Sequence, residues 1–378
     1  MRSPSVFPQP ISLLKWDRSD PPIRDRLKPW HPKKVKINCH DDPNSPDSEE
    51  MRQARIKVSS EESDAVYHVM SRAVNGEWWF DPVAREVLRK QLWQVAEFAG
   101  IEVLTYAILS NHFHVLVRVP RKSPVADEEL LRRYAVLYPQ PTRFQAARLE
   151  VIKAQLASDG PEAVAWRKRQ LLLMNDVSAF MKLVKQRFSI WFNRHHDRYG
   201  TLWAERFKSV LVEPTGRAIQ SVAAYIDLNC VRAGLAQDPK DYRFCGYSEA
   251  VAGAEHARRG LQFVLGEKAW PETQAAYRQI LFGAGASPRK DQASIPIERL
   301  RQVERAGGKL PLTDVLRCRV RYFRDGAILG SRAFVETQLA HYRVRTGRRL
   351  RNRVRPLPDI TDWGGMVALR GVRSPAFG

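Results

Sequence analysis

His112 and His114, one residue apart in Ser110-Asn111-His112-Phe113-His114-Val115-Leu116-Val117-Arg118-Val119, are the residues here best suited to chemistry. Side chains alternate across a strand, so His112 and His114 share a face with Leu116 and Arg118, while Phe113, Val115, Val117 and Val119 form an apolar face. The imidazoles are therefore expected to point away from the core. Two Cβ atoms on one strand face are close enough for both rings to bind one metal ion. A histidine pair can equally be exposed or internally hydrogen-bonded, so a metal site needs another donor. Tyr225 and Asn229 are four residues apart and stand one turn above the other on a helix; Arg232 continues their stripe, and Ile219, Ala223, Ile226 and Cys230 mark a core-facing one. Such a trio is ordinary on a helix surface, and its interest lies in the combination with the histidine pair.

The elements that must position these groups follow from pattern. "AVYHVMSRAV" reads as a first strand. Asp81-Pro82 offers an N-cap followed by proline at the first helical position, and the helix through Val83, Val87, Trp93 and Val95 ends at Gly100. "IEVLTYAIL" is a second strand, and Ser110-Asn111 turns into the third, "HFHVLVRV". Residues 121–174 are polar and partly helical, an insertion at the edge of the fold. A helix follows from Asp176 to His195, with Phe180, Val184, Phe188 and Trp191 on one stripe and Lys182, Lys185 and Arg194 displayed elsewhere. "RFKSVLVE" is a fourth strand, and Thr215 caps a last helix that Gly234 closes.

This order predicts an α+β fold: a ferredoxin-like, RRM-like antiparallel sheet with helices on one face, the other face open to a ligand. Three regions are expected: a Pro-rich disordered leader over residues 1–60, a folded domain over 61–255 that carries His112, His114 and Tyr225, and a helical, Arg-rich C-terminal extension over 256–378. In that extension, two helices around a glycine-containing turn, the second starting at Ser331, suggest a helix-turn-helix-like shape, either a DNA reader or a structural helical hairpin with a solvated basic tail.

Sixty-two Lys and Arg against 41 Asp and Glu give a formal net charge of +21, which favours a polyanionic partner, nucleic acid before an anionic membrane surface. No apolar run has the length of a membrane span, and the opening "MRSPSVFPQPISLLKW" lacks a signal peptide's apolar core. A cytoplasmic, nucleoid-associated protein is expected. Cys39, Cys230, Cys245 and Cys318 are scattered without C-x-x-C spacing, against a disulfide framework or a structural zinc site.

"NHFHVLV" resembles the His-hydrophobic-His strand of HUH endonucleases, and "YIDLNCVRAGL" resembles the Tyr-x-x-x-Asn helix of single-tyrosine transposases of the IS200-like superfamily, with the REP-associated branch nearest. "RYGTLWAERFKSVLVE" is similar to the family's segment leading into the last strand. The resemblance spans about residues 64–250, and Cys230 stands where the family has proline. It implies that His112 and His114 bind Mg²⁺ or Mn²⁺ with Asn229 as third ligand, and that Tyr225 is the nucleophile. It further implies cleavage and rejoining of single-stranded, hairpin-bearing DNA through a 5′-phosphotyrosine, and a symmetric dimer.

Arg194, Arg198, Arg206 and Lys208, interleaved with Trp191, Phe192 and Trp203, have the composition of a surface that grips phosphates and stacks unpaired bases. Arg118, Lys182, Lys185 and Arg232 join them as expected nucleic-acid contacts. Tyr199 is expected to meet nucleic acid or pack beside Trp203, and Tyr67, Tyr106 and Tyr242 to be structural. His195 and His196 diverge on their helix, which suits proximity to DNA better than shared metal binding. Two other readings compete: a binder of structured DNA that does not cut, and an HUH replication initiator or relaxase. The latter commonly carries further tyrosines or a helicase domain, and no G-x-x-x-x-G-K-[ST] loop is present.

Overall fold

β1 (Ala65–Arg72) is buried along almost its whole length and pairs antiparallel with a strand on each side. The computed structural model describes residues 55–266, 269–282, 310–317, 320–347, 354–359 and 361–369. Nearly all of the expected leader, and the arginine run at 348–353, lie outside the described residues. After β1, α1 (Pro82–Ala99) begins where Asp81 accepts the Ala84 amide at 2.7 Å and ends at Gly100, whose φ of 62° makes a left-handed cap. β2 (Glu102–Ile108) and β3 (His112–Val119) form the expected hairpin, closed by the Leu109 amide donating to the His112 carbonyl at 2.8 Å.

The insertion is helical throughout its core: α2 (Asp127–Val136), α3 (Arg143–Ser158) and α4 (Pro161–Leu171). α5 (Val177–His195), capped by Asp176, leads to β4 (Lys208–Val212). The closing helix is broken at Leu228 into α6 (Gly216–Asp227) and α7 (Asn229–Arg232); Thr215 stands at its N-cap without making a side-chain cap bond. Then come α8 (Gly246–Val251), α9 (Glu255–Leu265), α10 (Trp270–Phe282), α11 (Leu312–Leu316), α12 (Tyr322–Asp325), β5 (Ile328–Gly330), α13 (Arg332–Thr346), β6 (Arg355–Pro356) and β7 (Val367–Ala368).

The α+β class is observed, with a mixed sheet in the order β2-β3-β1-β4-β5-β7-β6. Two expectations are corrected. The first is the open sheet face. Phe113 packs on Trp203, which meets Phe188 of α5, while from the opposite face His114 meets Tyr225 of α6 and His68 bonds to Phe323 of α12. Helices therefore cover both faces. The second is the purely helical C-terminal extension. β5 pairs parallel with β4, and β5 with β7 and β7 with β6 antiparallel, so residues after 255 extend the same sheet within the unit Ala54–Gly378. Ser331 caps α13 as expected, its hydroxyl accepting from the Phe334 amide, but β5 stands where a helix-turn-helix would have its turn. No described helix is long and apolar enough to cross a membrane.

Asp227, at the end of α6, is a fully buried carboxyl that ties this helix to its neighbours. It accepts from Thr105 of β2 at 2.9 Å, from the Tyr277 hydroxyl of α10 at 2.6 Å and from the Tyr247 amide of α8 at 3.3 Å. Burial raises its pKa from 3.8 to about 7, against the lowering effect of these three donors. The unfolded chain then releases this proton before the folded one, so the stability contribution is complete below about pH 4 and is lost as pH rises towards 7. Between about pH 5 and about pH 8 the wild-type chain is expected to lose roughly 2–3 kcal/mol from this group. Thermal melts of wild type and Asp227→Asn across that range check it: the substitution should flatten the dependence.

Candidate active site

Two strands and a helix bring the titratable groups together. His114 stands opposite Met70 in the β1–β3 register and His68 opposite Leu116, which makes His68 and His114 diagonal neighbours on one sheet face. His68 Nε2 lies 2.9 Å from His114 Nδ1, and His68 Nδ1 lies 2.7 Å from the Phe323 carbonyl oxygen. Burial pushes His68 down to about 3 and holds His114 well below the ordinary imidazole value, with the neighbouring His68 and His112 adding to the latter. His112 is half-buried and lies beside His114, ring centroids 5.2 Å apart. Its Nδ1 is 2.6 Å from Asn111 Oδ1, and Asn111 Nδ2 donates to the Gly76 carbonyl at 2.6 Å, which sets the orientation of that amide.

Tyr225 closes the cluster. Its ring meets His68 and His114 edge-on, each at 6.2 Å, and Phe323 at 5.2 Å. The Arg232 guanidinium sits 4.0 Å above its face, with Nη2 donating to the Tyr225 carbonyl at 2.9 Å and Nη1 to the Leu316 carbonyl at 2.7 Å. The expectation that the imidazoles and Tyr225 face away from the core is corrected: His114 is 2% exposed and Tyr225 1%. The cause is the cover laid over this face by α6 and α12. Asn229 is also buried, and its amide nitrogen donates to the carbonyls of Tyr225 at 3.0 Å and Ile226 at 3.2 Å.

Among the described residues no group of three or more His, Cys, Asp and Glu side chains could hold a metal ion. The donor set expected here is different, two imidazoles and an amide, and its chemistry fits a divalent cation. An amide oxygen only accepts, so neutral His112 carries its proton on Nδ1 and its lone pair on Nε2. Nδ1 of His114 is engaged by His68, and the NH₂ of Asn229 by helix carbonyls, which makes Oδ1 its donor atom towards a cation. The carbonyl oxygen suits Mg²⁺ or Mn²⁺ and the imidazole nitrogens suit Zn²⁺ as well, so the donor types admit a divalent cation without selecting one.

The expected nucleic-acid contacts divide. Lys182, Arg194, Arg206 and Lys208 are exposed, though Lys208 has Glu205 at 3.4 Å. Arg198 lies over Trp79 at 4.8 Å and is tied to Asn193 and the Thr201 carbonyl, each at 3.3 Å. Lys185 donates to the Glu205 carbonyl at 2.8 Å, and burial followed by the charge of Arg55 lowers it to about 8. Two contacts are corrected. Trp203 is core, packed against Phe80, Phe113 and Phe188 with Nε1 donating to Ser189 at 2.8 Å. Arg118 is held by Asp64 and by Glu102 and lies over Phe263 of α9, so it fastens the sheet edge. His195 stacks on Trp191 and His196 lies against Phe192, yet the two imidazoles still meet edge-on at 5.0 Å, so the expected divergence is corrected.

Two residues escaped the sequence reading. His68 lies in an apolar strand, and only pairing with β3 makes it significant; a lone histidine between Tyr67 and Val69 was its one signal. Trp78 is 83% exposed and Tyr199 93%. Their loops are cross-linked by the Val74 amide donating to the Leu202 carbonyl at 2.9 Å and the Ala204 amide to the Arg72 carbonyl at 3.0 Å. The Phe80 amide donates to the Ser110 carbonyl at 2.8 Å, fastening the Trp78 loop to the turn that carries His112.

No family model matches the chain, and no curated protein matches it. Among solved structures it is similar to a REP-associated tyrosine transposase bound to a REP hairpin, at 14% identity over 54% of this chain and 87% of that one. The TM-score of 0.35 makes this a distant likeness.

Proposed function

We propose that this chain is a metal-dependent endonuclease and strand transferase that cleaves and rejoins single-stranded, hairpin-bearing DNA through Tyr225. The observation that carries this reading is the meeting of Tyr225 with His114 at 6.2 Å, under the guanidinium of Arg232 and beside His112, from elements more than a hundred residues apart. His112, His114 and Asn229 would hold Mg²⁺ or Mn²⁺, which when bound withdraws charge from the scissile phosphate. Tyr225 Oη forms a bond to phosphorus as the bond from phosphorus to the 3′ oxygen breaks. With Phe323 displaced from the Tyr225 ring to admit the strand and water, the phenol proton passes to that water and the 3′ oxygen takes one up, leaving a 5′-phosphotyrosine and a 3′-hydroxyl. Arg232 holds the ring face in place.

A second reading, a protein that grips structured DNA without cutting it, draws on the burial of Tyr225 beneath Phe323. Under either reading the net charge of +21 supplies attraction to phosphates, and Trp78 and Tyr199 supply exposed aromatic faces for unpaired bases.

Incubation of labelled hairpin-bearing single strands with the full chain and Mn²⁺ or Mg²⁺ should give a covalent protein–DNA adduct that Tyr225→Phe abolishes. An adduct that survives the substitution removes Tyr225 as nucleophile, and binding without any adduct in wild type favours the second reading. Trp78→Ala and Tyr199→Ala should each weaken single-strand affinity by roughly fivefold to a hundredfold in fluorescence anisotropy while leaving the melting temperature unchanged. Unaltered affinity in both would take the aromatic faces out of the binding surface.

A further inference from the structure

The bonds that end on His114 fix where its proton sits. A peptide carbonyl only accepts, so the 2.7 Å contact with Phe323 obliges His68 to carry a proton on Nδ1. His68 is fully buried, and among the described residues its ring bonds only to the Phe323 carbonyl and to His114, with no carboxylate to hold a second proton, so its Nε2 bears a lone pair. The 2.9 Å contact must then be a donation from His114 Nδ1 to His68 Nε2. His114, equally buried and donating from Nδ1, is left with its lone pair on Nε2.

We infer that His68 is a positioning residue which, relaying the Phe323 carbonyl, holds His114 in the Nδ1–H tautomer and so keeps Nε2 as the nitrogen that meets a divalent cation. The inference rests on reading His112 and His114 as cation ligands. His112 reaches the same tautomer by a separate route, through Asn111 as oriented by the Gly76 carbonyl. One ring is thus set by its own turn. The other is set across 46 residues of sequence to His68 and a further 255 to Phe323. A ligating imidazole whose second nitrogen donates to a fixed acceptor binds metal more tightly than one free to exchange tautomers. The segment around α12, which the closing part of the chain contributes, is by this argument part of the site.

The test is the tautomer itself, read by long-range ¹⁵N–¹H spectra of the full chain labelled at its histidine rings, without metal or DNA. Wild type should show His114 as a single Nδ1–H tautomer. In His68→Phe, which has no acceptor, His114 should become a mixture of tautomers, and Mn²⁺ affinity should fall about ten- to a hundredfold by calorimetric titration. His68→Gln, whose amide can both donate to Phe323 and accept from His114, should restore the Nδ1–H form. His114 protonated on Nε2 in wild type overturns the relay, as does an unchanged tautomer in His68→Phe. If His68→Phe does not fold, the wild-type spectrum and His68→Gln decide. The titration separates the two readings: the expected tautomer without Mn²⁺ uptake supports the relay and overturns the metal reading. The opposite tautomer with Mn²⁺ uptake overturns the relay alone.

Discussion

The hydrogen bond between His68 and His114, inside the sheet, is the constraint on which this arrangement depends. An imidazole removed from water with a nitrogen left unpaired costs about 1–3 kcal/mol, so two buried rings on adjacent strands persist only if their polar atoms find partners. Here they partner one another, and the outer nitrogen of His68 finds the Phe323 carbonyl. That requirement sets β1 against β3 in one register, because a slip of one residue would carry His68 to the opposite face. It also requires α12 to lie against the same face, since its backbone supplies the terminal acceptor.

The rest of the cluster is arranged around that pair. α6 is buried nearly throughout, so Tyr225 enters the cluster from a helix anchored on other sides, above all by Asp227 with Thr105, Tyr247 and Tyr277. Helical i→i−4 bonds run on through Leu228, so Arg232 stands two turns beyond Tyr225 and its guanidinium reaches back over that ring. Arg232 also bonds Leu316, so the same guanidinium holds the tyrosine and the segment that covers it. Outside this core, ordered loops leave Trp78 and Tyr199 facing water. Loops stapled to the strands by backbone hydrogen bonds can present such rings without collapsing onto them.

Much of the scaffold was legible locally. Asp81, Gly100, Asp176, Ser110-Asn111 and Ser331 act within a few residues of themselves, through caps and a turn, and each stands at the element end expected of it. The pairing of Tyr225 with Arg232 was legible too, since helical spacing governs it. The exposed sheet face was not. The alternation in β3 marks His112, His114 and Arg118 as the more polar side, and a strand pattern alone cannot tell solvent from a cover of polar partners. Trp203 and Arg118 were misplaced for a related reason: an aromatic or a guanidinium in a basic stretch looks alike whether it meets a base, a core or a carboxylate.

By itself, then, the chain's order of residues determined the α+β class, the hairpin that carries His112 and His114, the helix that carries Tyr225, and a charge suited to nucleic acid. These follow from interactions between near neighbours and from composition. Only the tertiary structure decided that His68 bonds His114, that the closing segment adds three strands and roofs the site, and that Tyr225 lies buried beneath Phe323. The physical reason is distance along the chain. These partners lie 46 to 255 residues apart, and a side chain's spacing pattern carries no information about which remote backbone will satisfy it.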